Sequence, residues 1–156
     1  MSVEKRLAEL GIDLPTPAAA LANYVPYVVS GTLVSISGQI PMQDGELAFT
    51  GKVNEDVNID DACKAARICG LNIVAQIKAA CDGDLDRVKR IVKLGGFVNG
   101  PDGFGGQPQI INAASDLMVE IFGDAGRHSR SAVGVNGLPL NVPVEIDAMV
   151  EIISKD

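Results

Sequence analysis

The chain has 156 residues, of which 47% are hydrophobic and 21% charged, and its net charge is −7. That length fits one domain with a sizeable core, and the composition argues against disorder. The negative sign repels phosphate backbones unless a local basic patch offsets it, and no apolar run approaches the roughly 18 residues of a membrane span.

The chain begins Met1-Ser2-Val3-Glu4-Lys5-Arg6, charged where a secretory signal would be apolar, so the expected compartment is the cytosol. Ser2 is placed to cap a short helix over Val3–Leu10, and Gly11 to stop it. Residues 12–22 contain Pro15 and Pro17 and read as an irregular arm. Residues 24–29, the Ser30-Gly31 pair and residues 32–36 read as a β-hairpin. Asp44-Gly45 marks a second turn, followed by a weak strand over 46–49.

The strongest helix is expected over 59–81. Asn58 is a good cap, and Asp60 and Asp61 suit the positive end of the helix dipole. Ala62, Ala66, Cys69, Ile73, Ile77 and Ala80 step by three or four residues and form one apolar stripe. Cys63, Cys69 and Cys81 all fall on this helix. Its rise separates Cys63 from Cys69 by about 9 Å and from Cys81 by about 27 Å, too far for a disulfide. The spacing matches no zinc pattern either, so the three read as small core residues.

A strand follows over 88–98, interrupted by Gly95-Gly96, which hints at a bulge or a close backbone approach. Residues 99–106 form a Gly-rich loop. Pro108 opens a second helix to Phe122 and Gly123 closes it. Its stripe is Ile110, Ala114, Leu117 and Ile121. Strands are expected over 131–136 and 142–153. In the last, Val144, Ile146, Ala148, Val150 and Ile152 alternate with Glu145, Asp147, Met149 and Glu151, so one face is apolar and the other largely acidic. Two main helices on one face of a mixed β-sheet make an α+β layer architecture, with the opposite face meeting water or another subunit.

Several familiar chemistries have no footing. The Gly-rich loop lacks the Gly-Lys-Ser/Thr ending of a phosphate loop. His128 is the sole histidine, no nucleophile elbow accompanies it, and it reads as a loop residue near Arg130. Soft ligands are too few for a transition-metal site. Arg87, Lys89, Arg90 and Lys93 form a short basic run without interleaved aromatics and read as a solvated strand or turn. Glu145 and Asp147 could be a carboxylate pair for acid–base work or simply a polar strand face.

Four stretches in order carry a resemblance. They are Asn23-Tyr24-Val25-Pro26-Tyr27, Ser37-Gly38-Gln39-Ile40-Pro41, Arg130-Ser131-Ala132-Val133, and Leu138-Pro139 followed by Val144-Glu145-Ile146-Asp147-Ala148. Together they resemble the signature of the Rid (YjgF) family, the reactive-intermediate deaminases, whose longer branches often carry the endoribonuclease L-PSP label. The resemblance implies a YjgF-like, chorismate-mutase-like α+β domain over 1–156, with 1–22 as an added helix and arm. It implies a homotrimer with clefts between subunits, binding small 2-imino or 2-keto acids without metal or cofactor. Matched position by position, Arg130 would hold the substrate carboxylate and Glu145 would help position the attacking water. Tyr24, Ser37, Gly38 and Asn112 match further cleft positions, and the main-chain carbonyl of Ala132 would orient the water. Arginine suits this task because its planar fork grips a carboxylate bidentately.

The sequence departs from the archetypal deaminases in four places. Ala132 stands where a cysteine is frequent, and His128-Ser129 replaces a usual Pro-Ala. The N-terminal arm and the long Gly-rich loop are additional. Three readings follow: hydrolysis of 2-imino acids to keto acids and ammonia, non-catalytic binding of small carboxylates, and an endoribonuclease. The acidic balance, the absence of tryptophan and the single histidine weigh against RNA.

Overall fold

The computed structural model describes residues 1–20 and 22–155; Leu21, inside the expected arm, and Asp156 lie outside the described residues. Helix α1 spans Val3–Leu10, with the Ser2 hydroxyl accepting from the Lys5 amide and Gly11 closing it in the left-handed conformation. The helix is pinned to the body of the protein. The Val3 amide donates to Asp86, Arg6 donates to the Glu120 carbonyl, and Glu4 pairs with Lys78.

Strands β1 (Tyr27–Ser30) and β2 (Leu33–Gln39) form the hairpin. The first strand starts later than the sequence suggests, and the second runs further. At the junction the Ser37 amide donates to the Pro26 carbonyl, and the Ser37 hydroxyl to the Val25 carbonyl. Pro26 has no N–H to return a ladder bond, so regular pairing begins at Tyr27. Two short strands, β3 (Met42–Gln43) and β4 (Glu46–Leu47), flank the Asp44-Gly45 turn, where both residues have positive φ as such a hairpin turn requires.

Helix α2 (Ile59–Ala80) is capped by Asn58, β5 spans Val88–Asn99, α3 spans Gln107–Phe122, β6 spans Ser129–Val135, and β7 spans Val144–Ile152. The main sheet runs β1-β2-β7-β5-β6. All its pairs are antiparallel except β5–β6, which α3 connects as a crossover. Helix α2 lies over β2 and β7, and α3 over β5 and β6. The expected stripes fill the space beneath: Ala62, Ala66, Cys69, Ile73 and Ile77 meet Ile110, Leu117 and Ile121 above Val144, Ile146 and Val150. Packing is close because α2 presents small residues. A Cβ at Gly70 would stand 2.9 Å from Leu117.

Two expectations need correction. Cys63 is half-buried, not a core residue, because its turn of α2 faces the start of α3 at Gln109. All three cysteines are free. The bulges of β5 also fall at Val88–Arg90 and Ile91–Lys93, not at its glycines. Gly95 and Gly96 serve close approach instead. The Asp147 side chain occupies the space over Gly95 on the open face, while on the helix side a Cβ at Gly96 would stand 2.6 Å from Ile111. Among the described residues no helix is long and apolar enough to cross a membrane.

Candidate active site

The residues singled out by sequence gather in two places. The first is a cleft at the β2–β7 seam. Between Ile36 and Gln39 the β2 register slips, so three steps on β2 face two on β7. This bulge re-aims Ser37 and Gly38 toward Glu145, a use of bulges common beside functional sites. Gly38 is glycine for a steric reason: the Glu145 carboxylate occupies the space its Cβ would need. Tyr24 stands at the rim, half exposed. The cleft holds about 100 Å³, with Ala20, Ile40, Met42 and Asn72 among its walls.

Two contributors were missed in the sequence, the arm and Asn72. Asn72 and Gln76 lie one turn apart on α2, beside the apolar stripe and buried. Asn72 donates to the Ile40 and Met42 carbonyls, both at 3.0 Å, and Gln76 donates to the Ala18 carbonyl at 2.8 Å. The helix thereby holds the β2–β3 connection and draws the arm over the cleft, so that Ala18, Ala19 and Ala20 line it. Two amides at helical spacing in an otherwise apolar face were the available signal.

The second place is the outer edge of the sheet, where β6 meets α3. Arg130 Nη1 donates to Asn112 Oδ1 at 2.7 Å and to Ser115 Oγ at 3.1 Å, and Nη2 reaches the Pro108 carbonyl at 3.4 Å. Ser115 Oγ lies 2.9 Å from His128 Nε2, while His128 Nδ1 donates to the Gly126 carbonyl at 2.6 Å. A carbonyl can only accept, so Nδ1 carries the hydrogen, and in the neutral ring Nε2 accepts from the Ser115 hydroxyl. Arg130 is thus held on one side by a chain of three side chains. Its Nε–H remains outside these bonds, beside an Nη2 engaged only at long range, as a bidentate grip requires. Ala132 follows two residues along the same strand, on the same face.

Within one chain these two groups do not meet. Arg130 pairs across β5 at Leu94, which pairs with Ala148 on β7. Arg130 is therefore two strands and three residues away from Glu145, about 10 Å in each direction. The faces also differ. Arg130 shares the helix side with buried Leu94 and Ala148, and Glu145 shares the open side with Asp147, Met149 and Glu151.

Burial raises the Glu145 carboxyl above the ordinary carboxylate range, and the neighbouring Asp147 adds to the rise. Asp147 is also raised, by burial, with the Gly95 amide and Lys93 acting against it. Two half-buried carboxylates on one strand face thus disfavour full ionisation. The basic run gains Arg127 and His128 as spatial neighbours of Arg90. Much of it is engaged: Arg87 with Asp82, Lys89 with Glu151, Arg90 with the Arg127 carbonyl. Among the described residues no cluster of three His, Cys, Asp or Glu is gathered for a metal.

A family model described as "YjgF/chorismate mutase-like, putative endoribonuclease" matches residues 4–152. The chain is 47% identical over 151 residues to protein TCP17 of Trypanosoma cruzi, covering 96% of this chain and 94% of the relative. It superposes on the crystal structure of Atu1372, a protein of unknown function from Agrobacterium tumefaciens, with a TM-score of 0.90 and 49% identity. That match covers 97% of this chain and 92% of the other. The E. coli protein TdcF, solved with bound serine, superposes with a TM-score of 0.64 and 27% identity, covering 90% of this chain and 98% of that one.

Proposed function

The chain belongs to the YjgF/chorismate mutase-like family, and from that premise we propose that it hydrolyses 2-imino acids to 2-keto acids and ammonia. The site is shared between copies of a homotrimer, with the Arg130 edge of one chain facing the Glu145 cleft of the next. The observation that carries this reading is the preset fork of Arg130. Its Nη1 is occupied by Asn112 and Ser115, Nη2 reaches the Pro108 carbonyl only at 3.4 Å, and Nε lies outside these bonds.

The chemistry asks little more. Arg130 holds the substrate carboxylate and so fixes the plane of the imine. Glu145 accepts a proton from water as the water oxygen bonds to the imine carbon. That proton passes to nitrogen, giving a carbinolamine. Glu145 then takes the carbinolamine's hydroxyl proton and relays it to the amine, so that the carbonyl forms as the carbon–nitrogen bond breaks and ammonia leaves. A carboxylate raised by burial and by Asp147 suits both halves of this exchange, because its proton affinity lies nearer that of the groups it serves. The Ala132 carbonyl, on the Arg130 side, orients the water.

Binding without turnover is a second reading, favoured by the serine bound to the E. coli neighbour TdcF. An endoribonuclease activity draws less support, since both ring nitrogens of His128 are engaged, Nε2 with Ser115 and Nδ1 with the Gly126 carbonyl, and the net charge is negative.

Three variants test the proposal. Removing one partner of a buried charge pair costs about 2–5 kcal/mol, so Arg130→Ala is expected to weaken keto-acid binding roughly 30-fold to several thousand-fold. Arg130→Lys recovers only part of this, since a point charge cannot replace the fork. Glu145→Gln spares binding and lowers imine turnover. Calorimetry with keto acids and an imine-hydrolysis assay read these, with thermal unfolding as the folding control. Wild-type affinity in folded Arg130→Ala sinks the site. Binding without turnover in the wild type leaves the binding reading.

A further inference from the structure

We infer that His128 is a positioning residue for Arg130, acting through Ser115, and that the guanidinium fork grips a carboxylate in full only while the ring is neutral. This rests on the reading of Arg130 as the residue that holds the substrate carboxylate.

The bonds around Ser115 all run one way. Arg130 Nη1 donates to Ser115 Oγ at 3.1 Å, the Ser115 hydroxyl donates to His128 Nε2 at 2.9 Å, and Nδ1 donates to the Gly126 carbonyl at 2.6 Å. The carbonyl end sets the direction, because a carbonyl has no hydrogen to give. Nη1 spends its other hydrogen on Asn112 Oδ1 at 2.7 Å, so both of its hydrogens are committed and the guanidinium plane is fixed from one side. A proton on Nε2 breaks this order. Nε2–H and Nη1–H then both point at the single oxygen of Ser115, and the hydroxyl hydrogen loses its acceptor. Two like charges also face each other across that oxygen. The guanidinium gives way, since the ring keeps its short bond to Gly126 while Arg130 reaches Pro108 only at 3.4 Å.

The surroundings offer an imidazolium no compensation. Neither ring nitrogen bonds a carboxylate. Arg127 and Arg130 flank the ring on its own segment and Arg90 comes from β5, all of them cations. Asp116 on α3 is exposed, and Asp124 is paired with Arg127 at 3.5 Å. A second cation also attracts an anionic ligand. That ligand's carboxylate, however, lies beyond Nη2 and Nε on the far side of the guanidinium, where salt screens exposed charges. The contact effect at Ser115 therefore decides the sign.

His128 is the sole histidine, so NMR on the full-length protein reads its ring without ambiguity. Nitrogen shifts are expected to place the hydrogen of the neutral ring on Nδ1. Calorimetry with pyruvate runs in parallel between about pH 8 and pH 5, the range in which histidine changes charge. Wild-type affinity is expected to fall about tenfold as the ring takes up its proton, the worth of one bond to a charged group. His128→Gln carries an amide oxygen to stand in for Nε2 but never becomes a cation. It is expected to bind within about threefold of the neutral wild type and to lose the fall. His128→Asn keeps a donor for Gly126 but is too short for Ser115, and is expected to bind about two- to tenfold weaker throughout. Glu145 and Asp147 titrate in all three proteins, so the difference between the curves belongs to the ring. Coincident wild-type and Gln curves, affinity that rises as the ring protonates, Gln binding no better than Asn, or a neutral ring with its hydrogen on Nε2 overturns the positioning role. The carboxylate grip still stands in those cases if Arg130→Ala loses pyruvate. If the wild type binds no pyruvate, or Arg130→Ala binds it unchanged, the grip itself falls and takes the role of His128 with it.

Discussion

Ser115 sits between Arg130 and His128, accepting from one and donating to the other. Ser115→Ala removes one hydrogen bond from the guanidinium but leaves its charge and its Asn112 bond in place. Bonds to a charged group are worth about 1.5–3 kcal/mol net, so keto-acid affinity is expected to drop at most roughly ten- to 150-fold, short of the several-thousand-fold upper range for Arg130→Ala. Calorimetry on both variants compares them directly. Glu145 makes a prediction of opposite sign for stability. Its folded-state proton affinity is raised, so the folded chain binds more protons than the unfolded one between the ordinary carboxylate value and the raised value. Stability is therefore lost as pH climbs through that window, and the deficit is complete above it. Glu145→Gln abolishes the deficit. Its melting temperature is expected to exceed that of the wild type at about pH 7, with the gain shrinking at about pH 3, where both forms are uncharged. Scanning calorimetry at the two pH values reads the difference.

The elements were legible where their causes are local. Ser2, Gly11, Asn58 and Gly123 are caps that act within a turn, and the α2 and α3 stripes follow from helical period alone. The β1–β2 boundary shifted because Pro26 and the Ser37 bonds act across the hairpin. The parallel partnership of β5 and β6, the bulge at Ser37-Gly38, the Asn72 bonds to the β2–β3 connection and the approach of the arm to Gln76 are all long-range, and no neighbour in sequence announces them. Motif matching named Arg130 and Glu145 but could not say that they occupy opposite faces of one sheet. The Gly95-Gly96 pair shows how a local oddity acquires a tertiary reason. Ile111 carbons stand 2.6, 2.7 and 2.9 Å from where a Cβ at Gly96 would be. Gly96→Ala therefore forces β5 and α3 apart, an overpacking expected to cost about 1–3 kcal/mol, read as a lower denaturant midpoint with unchanged slope.

At the scale of the molecule, the helices cover one face of the sheet, and the other carries Leu33, Val133 and Met149 exposed around the Glu145–Asp147 pair. Apolar groups of that size in the open fit a partner surface, and the proposed shared site makes that partner a further copy of the chain. Light scattering in dilute solution is expected to give three times the chain mass. Mixing is the sharper test. Arg130→Ala and Glu145→Gln, each impaired alone, are expected to recover activity when unfolded and refolded together, since about a quarter of randomly assembled interfaces would carry both intact residues. No recovery from mixed trimers would place both groups on one chain. The separation of Arg130 from Glu145 within the chain also bears on gene dosage. If activity arises only where two copies meet, then at low abundance doubling the number of chains more than doubles the output. The protein would act as a threshold device, nearly silent when scarce and proportional to its amount once assembly is complete.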